Sequence, residues 1–199
     1  MREIGAVVFP GFELLDYFGP LELFGMHEDA FSQVVLAETT GPVASTQGPR
    51  VAVDRTLAET ERTDILLIPG GPGTRREVGN PVLIGHLARL AETAEIVATV
   101  CTGSALLAKT GLLDGRRATT NKIAFDWVAG FGPKTDWQRR ARWVEDGRFI
   151  TASGVSAGMD MSLAVIARLL GEEAAVNAAR WAEYEANRDP DHDPFASDA

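Results

Sequence analysis

The stretch Ile96-Val97-Ala98-Thr99-Val100-Cys101-Thr102-Gly103-Ser104-Ala105-Leu106-Leu107-Ala108 decides the fold. Its first five residues are apolar or β-branched without polar alternation, the pattern of a strand buried on both faces, as in a parallel sheet. The run stops at Cys101-Thr102-Gly103-Ser104, and Ala105 to Ala108 resume as a helix. A side chain on such a turn is held at the carboxyl edge of the sheet, where α/β proteins place their ligands. Working outward, Ile4–Phe9, Val34–Ala37 and Asp64–Ile68 read as further strands, and Phe12, Leu15, Phe18, Leu21 and Phe24 recur at helical spacing. Gly19-Pro20 is expected to interrupt that first helix near its middle. Residues 43–46 and 51–54 read as a hairpin appended to the sheet, and Pro81 opens a helix to about Glu92. Past Trp127 and Trp137, residues 141–145 and 149–152 read as two strands turning at Asp146-Gly147, followed by helices over 159–170 and 172–185. The alternation predicts a single α/β domain over 1–187, a flavodoxin-like three-layer sandwich on a mainly parallel sheet, with 188–199 as a mobile acidic tail.

Charge and composition narrow the function classes. Nineteen Lys and Arg against 28 Asp and Glu leave a formal charge of −9. An acidic balance spread along the chain repels phosphate backbones, so no nucleic-acid partner is expected. The longest apolar runs are too short to span a bilayer and residues 1–15 lack the order of a signal peptide, so the expected setting is cytoplasmic, without a membrane partner. One cysteine in 199 residues excludes an internal disulfide or a cysteine-rich metal site.

That cysteine carries the chemical question. Cys101-Thr102-Gly103 matches the second half of a nucleophile elbow, although Thr99 stands where the hydrolase pattern prefers Gly. Backbone N–H groups at the helix start, Gly103 included, can receive negative charge there, and the helix dipole is expected to lower the thiol pKa. The plain alternative is a buried cysteine acting as an apolar filler. None of His27, His86 and His192 follows a strand in a way that aims it at Cys101, which disfavours a Cys–His dyad. Asp16, set among Leu14, Leu15, Tyr17 and Phe18, has two readings. Shielded beside the thiol, it would share a proton with it; otherwise it is a helix N-terminal acid worth ~1 kcal/mol of stability. Gly70-Gly71-Pro72-Gly73 lacks the Lys-Ser/Thr of a P-loop and is either a plain tight turn or a set of amides completing an oxyanion pocket beside Cys101.

Together with Phe9-Pro10-Gly11, Leu15-Asp16-Tyr17-Phe18-Gly19-Pro20, Ile68-Pro69-Gly70-Gly71, residues 111–120 and Gly154-Val155-Ser156-Ala157-Gly158-Met159-Asp160, these features resemble the ThiJ/PfpI superfamily, which has a class I glutamine amidotransferase-like fold. The resemblance covers Ile4 to about Tyr184. Within the superfamily the chain is most similar to isonitrile (cyclohexyl-isocyanide) hydratases and to the sensor domains of certain AraC-type regulators. The hydratase resemblance implies attack by Cys101 on the terminal carbon of an isocyanide, giving a thioimidate that water hydrolyses to an N-substituted formamide. It implies no metal or organic cofactor, a small-molecule substrate and a homodimer. It also implies that Asp16 manages the proton and that Thr102, the elbow backbone and Gly71 line the pocket. Asn121 stands where the hydratase pattern has His, and it borders that pocket. Sensing without turnover and a redox-responsive thiol remain the two other readings.

Overall fold

The structure is a computed structural model and describes residues 1–196. In chain order the elements are β1 (Arg2–Val7), α1 (Leu14–Gly25), β2 (Phe31–Ala37), β3 (Val43–Ala44), β4 (Arg50–Val51), β5 (Arg55–Thr56), β6 (Ile65–Ile68), α2 (Thr74–Glu77), α3 (Pro81–Thr93), β7 (Ile96–Val100), α4 (Gly103–Lys109), β8 (Arg117–Ala118), α5 (Phe125–Ala129), β9 (Asp136–Trp137), β10 (Trp143–Asp146), β11 (Phe149–Ala152), α6 (Ala157–Leu170) and α7 (Glu172–Trp181).

Seven strands form one sheet in the order β10-β11-β7-β6-β1-β2-β5. Five of its six pairings are parallel and β10 runs antiparallel to β11, so the expected α/β fold on a mainly parallel sheet is what the chain forms. The continuous apolar runs explain the centre: every residue of β6 and β7 is buried, and such strands are stable only with helices over both faces. Helix α6 packs on α1 and α7, and α4 packs on α2, α3 and α5, giving two helical layers. Helix α3 begins where the sequence signals it, with the Asn80 side chain accepting from the N–H groups of Val82 and Leu83 and Pro81 at the first position.

Two expectations change, and one further segment is placed. Helix α1 runs unbroken through Gly19-Pro20. Pro20 removes the helical donor that would meet the Asp16 carbonyl, but its ring packs close to Gly158 of α6, while a Cβ on Gly19 would sit 2.8 Å from Met159 Cγ. The pair serves close helix–helix approach, and that packing keeps the helix whole. The hairpin of β3 and β4 is a separate two-stranded sheet rather than an extension of the large one. Finally, residues 188–196 lie against the body of the protein. The Pro190 carbonyl accepts from the N–H groups of Arg142 at 2.7 Å and Trp143 at 3.3 Å, and the Asp193 N–H donates to the Arg140 carbonyl at 2.7 Å. These are backbone donors and acceptors at the start of an edge strand, and a chain without apolar periodicity can still be held by them. The remainder of the segment read as a mobile tail, 197–199, falls outside the described residues.

The loops that follow β1, β6, β7 and β11 converge at the carboxyl edge of the sheet. Cross-links fix them to one another: Glu13 N–H donates to the Gly70 carbonyl and Gly73 N–H to the Gly11 carbonyl, both at 2.9 Å.

Candidate active site

Cys101 sits on the turn between β7 and α4 with φ of 57°, in the left-handed region. For a residue with a Cβ this costs about 1–2 kcal/mol, and the surroundings hold it in place. The Cys101 N–H donates to the carbonyls of Ser153 at 2.9 Å and Ala152 at 3.2 Å, and its own carbonyl accepts from Ser104 Oγ at 3.0 Å and Thr120 Oγ1 at 2.9 Å. The bend turns the thiol back over the sheet edge, where it is 6% exposed. Three donors reach the sulfur: the N–H of Thr102, the N–H of Val155 and the side chain of Asn121. Val155 is itself left-handed, with φ of 42°, a strained geometry for a β-branched residue that aims its amide at the sulfur.

Asp16, in the first turn of α1, is fully buried. Its Oδ2 accepts from the Gly70 N–H at 2.9 Å, while Oδ1 has no partner of hydrogen-bonding geometry and the carboxyl lies in contact with the Cys101 thiol. Burial pushes the carboxyl up to about 7, against the pull of the Gly70 amide, with the nearby charge of Glu13 adding to the rise. The thiol is driven up too, by burial first and by the Asp16 charge second, to about 12; the Thr102, Val155 and Asn121 donors oppose this only in part. The expected low-pKa thiolate is therefore corrected: loss of hydration and a neighbouring anion outweigh the amides at the head of the seven-residue α4.

The remaining residues singled out from the sequence gather around this pair. Thr102 Oγ1 accepts from the Gly71 N–H at 3.1 Å and from Thr74 Oγ1 at 3.0 Å, behind Cys101. The amides of Gly70 and Gly71, read as oxyanion donors, are thus engaged by Asp16 and Thr102 and act as supports. Gly103 serves close packing, since a Cβ there would lie 2.4 Å from the Ile68 carbonyl oxygen. Asn121 accepts from the Ala124 N–H through Oδ1 at 2.9 Å, which turns its amide nitrogen toward Gly154 and the sulfur. His27 is elsewhere, bonded through Nε2 to the Ala174 carbonyl at 3.2 Å. Val155 escaped the sequence reading as a site residue, because neither its type nor its spacing signals a left-handed backbone; its place in the small-residue loop 154–158 was the sole hint.

A cleft of about 400 Å³ opens beside the sulfur's donors, lined by Asn121, Lys122, Ile123, Gly154, Val155 and Phe195 among others. Lys122 donates to Thr119 Oγ1 at 2.9 Å and to the Ala141 carbonyl at 2.6 Å, and burial lowers its pKa to about 8. Such an arrangement can receive a small molecule with an apolar substituent against Asn121 and Val155, two of the sulfur's donors.

Residues 2–168 match the DJ-1/PfpI family. The chain belongs to that family. Among DJ-1/PfpI relatives, it is 30% identical over 184 residues to the isonitrile hydratase of Pseudomonas putida, covering 92% of this chain and 78% of that one. It is 31% identical over 174 residues to the HTH-type transcriptional regulator CdhR of Pseudomonas aeruginosa, covering 85% of this chain and about half, 51%, of the regulator. Among solved structures, a ThiJ/PfpI family protein from Pseudomonas syringae superposes with a TM-score of 0.86 at 30% identity over all of this chain and 79% of the other. A DJ-1 superfamily protein from Salmonella typhimurium gives 0.81 at 26% identity over 93% of this chain and the whole of the other.

Proposed function

We propose that this protein is a cofactor-independent hydratase that converts an isocyanide to an N-substituted formamide. The observation that carries the reading is the buried pair of Asp16 and Cys101, an acid and a nucleophile in contact inside one desolvated pocket. Likeness to the isonitrile hydratase of Pseudomonas putida supports the choice of substrate class.

Near neutrality Asp16 titrates, so its carboxylate can take the thiol proton as the sulfur closes on the terminal carbon of R–N≡C. The S–C bond forms, and Asp16 passes the proton to that carbon, leaving the thioimidate R–N=CH–S on Cys101. Water then adds to the same carbon, forming a C–O bond, and its proton reaches nitrogen through Asp16. Collapse breaks the C–S bond, the hydroxyl proton returns to sulfur, and R–NH–CHO departs. During both additions the Thr102 and Val155 amides and Asn121 steady the charge on sulfur. A thiol of raised pKa suits this sequence: the thiolate exists only within the pair, and it is intrinsically the stronger nucleophile.

The test is conversion of cyclohexyl isocyanide to its formamide by the purified protein. Turnover that Cys101→Ala abolishes is expected; no product from the wild type, or product surviving in Cys101→Ala, overturns the proposal. Likeness to CdhR favours a second reading, in which the same cleft binds a small molecule without turning it over. Ligand-dependent thermal stabilisation with no product formed would select it.

A further inference from the structure

Residues 188–196 run past the start of β10 and deliver Phe195 to the cleft that opens on the sulfur's donors. The segment is shaped locally by side chains that accept from the backbone two residues on. The Asp189 N–H donates to Asn187 Oδ1, Asp191 N–H to Asp189 Oδ1, and Phe195 N–H to Asp193 Oδ1, between 2.8 and 3.0 Å. Asp193 is 1% exposed, and its second oxygen faces the buried Arg142, with Oδ2 3.5 Å from Nη1.

Arg142 already has a better partner. Its Nε and Nη2 reach Asp160 Oδ2 at 2.8 and 2.7 Å, and Asp160 Oδ1 accepts from Tyr184 Oη and the Asn187 N–H. The contact of Asp193 with Arg142 is electrostatic alone: neither Arg142 Nη1 nor Asp193 Oδ2 has a hydrogen-bond partner. Lys122 lies within electrostatic reach of Asp193 as well, but neither cation gives Oδ2 a hydrogen bond, so desolvation of Asp193 is only partly offset. Releasing Asp193 restores its hydration and leaves Arg142 paired. One side chain thus fixes both the turn that presents Phe195 and the contact that anchors it.

We propose that residues 188–196 are a strap over the Cys101 cleft, latched by Asp193 on Arg142, and that Phe195 is a specificity-determining residue which selects apolar substituents. The strap depends on where the sulfur lies and not on the hydration reaction, so it can stand or fall separately. The experiment uses the single thiol of the full chain and two maleimides of the same chemistry, N-methylmaleimide and N-cyclohexylmaleimide. Asp193→Ala is expected to speed N-methylmaleimide addition at Cys101 about tenfold, while Asp191→Ala, at an exposed strap position, leaves it unchanged. Phe195→Ala, at a side chain 74% exposed and therefore safe for folding, is expected to lower the preference for the cyclohexyl over the methyl reagent about fivefold. A folded Asp193→Ala protein reacting at the wild-type rate overturns the latch. Should that variant fail to fold, Phe195→Ala decides alone, and an unchanged reagent preference overturns the strap.

Discussion

The carboxyl of Asp16 and the thiol of Cys101 meet in a buried pocket, where the Asp16 charge drives the thiol pKa up while the thiol's hydrogen bond eases the ionisation of Asp16 that burial opposes. Because the Asp16 pKa is raised, to about 7, the folded state prefers its protonated form more than the unfolded state does. The associated stability is full below the ordinary carboxylate range and is lost as pH climbs through about 7. Asp16→Asn carries no such penalty. Its unfolding free energy relative to wild type is expected to rise between pH 5 and pH 8, by about 1.4 kcal/mol for each pH unit between 5 and the folded-state value of about 7. Urea unfolding at the two pH values reads this directly, and a flat difference would refute the buried ionisation.

Asp16→Asn also removes the anion beside the sulfur. The thiol pKa is expected to fall, so alkylation of Cys101 at pH 9 should be faster in the variant than in the wild type. Unchanged or slower alkylation would refute the charge effect of Asp16 on the thiol. Formamide production is expected to be lost in either case, because no group remains to carry the proton.

Thr102 holds the loop after β6 in register with the elbow. Thr102→Val leaves the Gly71 N–H buried without an acceptor, at a cost of about 1–3 kcal/mol, while the Thr74 hydroxyl keeps the Gly71 carbonyl at 2.7 Å. Thr102→Ser keeps the oxygen and is expected to recover most of that loss. Denaturant midpoints of the two variants make the comparison.

Two glycines make a matched pair of opposite sign. Gly103→Ala would place Cβ 2.4 Å from the Ile68 carbonyl oxygen, so β6 and α4 must move apart and the protein should lose at least ~3 kcal/mol or fail to accumulate. Gly85→Ala, inside α3 with open space around it, is expected to stabilise by about 0.5–1 kcal/mol. Thermal melts of both decide whether close backbone approach governs the elbow.

What the sequence disclosed was what periodicity and punctuation encode. The unbroken apolar runs of β6 and β7, the Asn80-Pro81 start of α3 and the abrupt stop at Cys101 each have a local cause, and each lies where it was read. Asp16, buried beside the thiol, was visible as one polar residue in an apolar turn. The rest depends on contacts between distant segments. Whether Gly19-Pro20 breaks a helix depends on Met159 lying across it, and whether the Gly71 amide is free depends on Thr102. The thiol pKa turns on how far the pocket is dehydrated, a property of the assembled fold. Val155 carried no signal beyond its place in a small-residue loop, since a valine in the left-handed region is a consequence of the loop around it.

Asp16, Gly70, Cys101 and Val155 come from four segments strung out along the chain, and they become neighbours only when β1, β6, β7 and β11 lie side by side. A nascent chain leaving the ribosome therefore carries an ordinary thiol and an ordinary aspartate. Before β11 pairs with β7 the Val155 amide is not beside the sulfur, so the raised thiol and its acidic neighbour are properties of the assembled sheet and of no shorter piece of it.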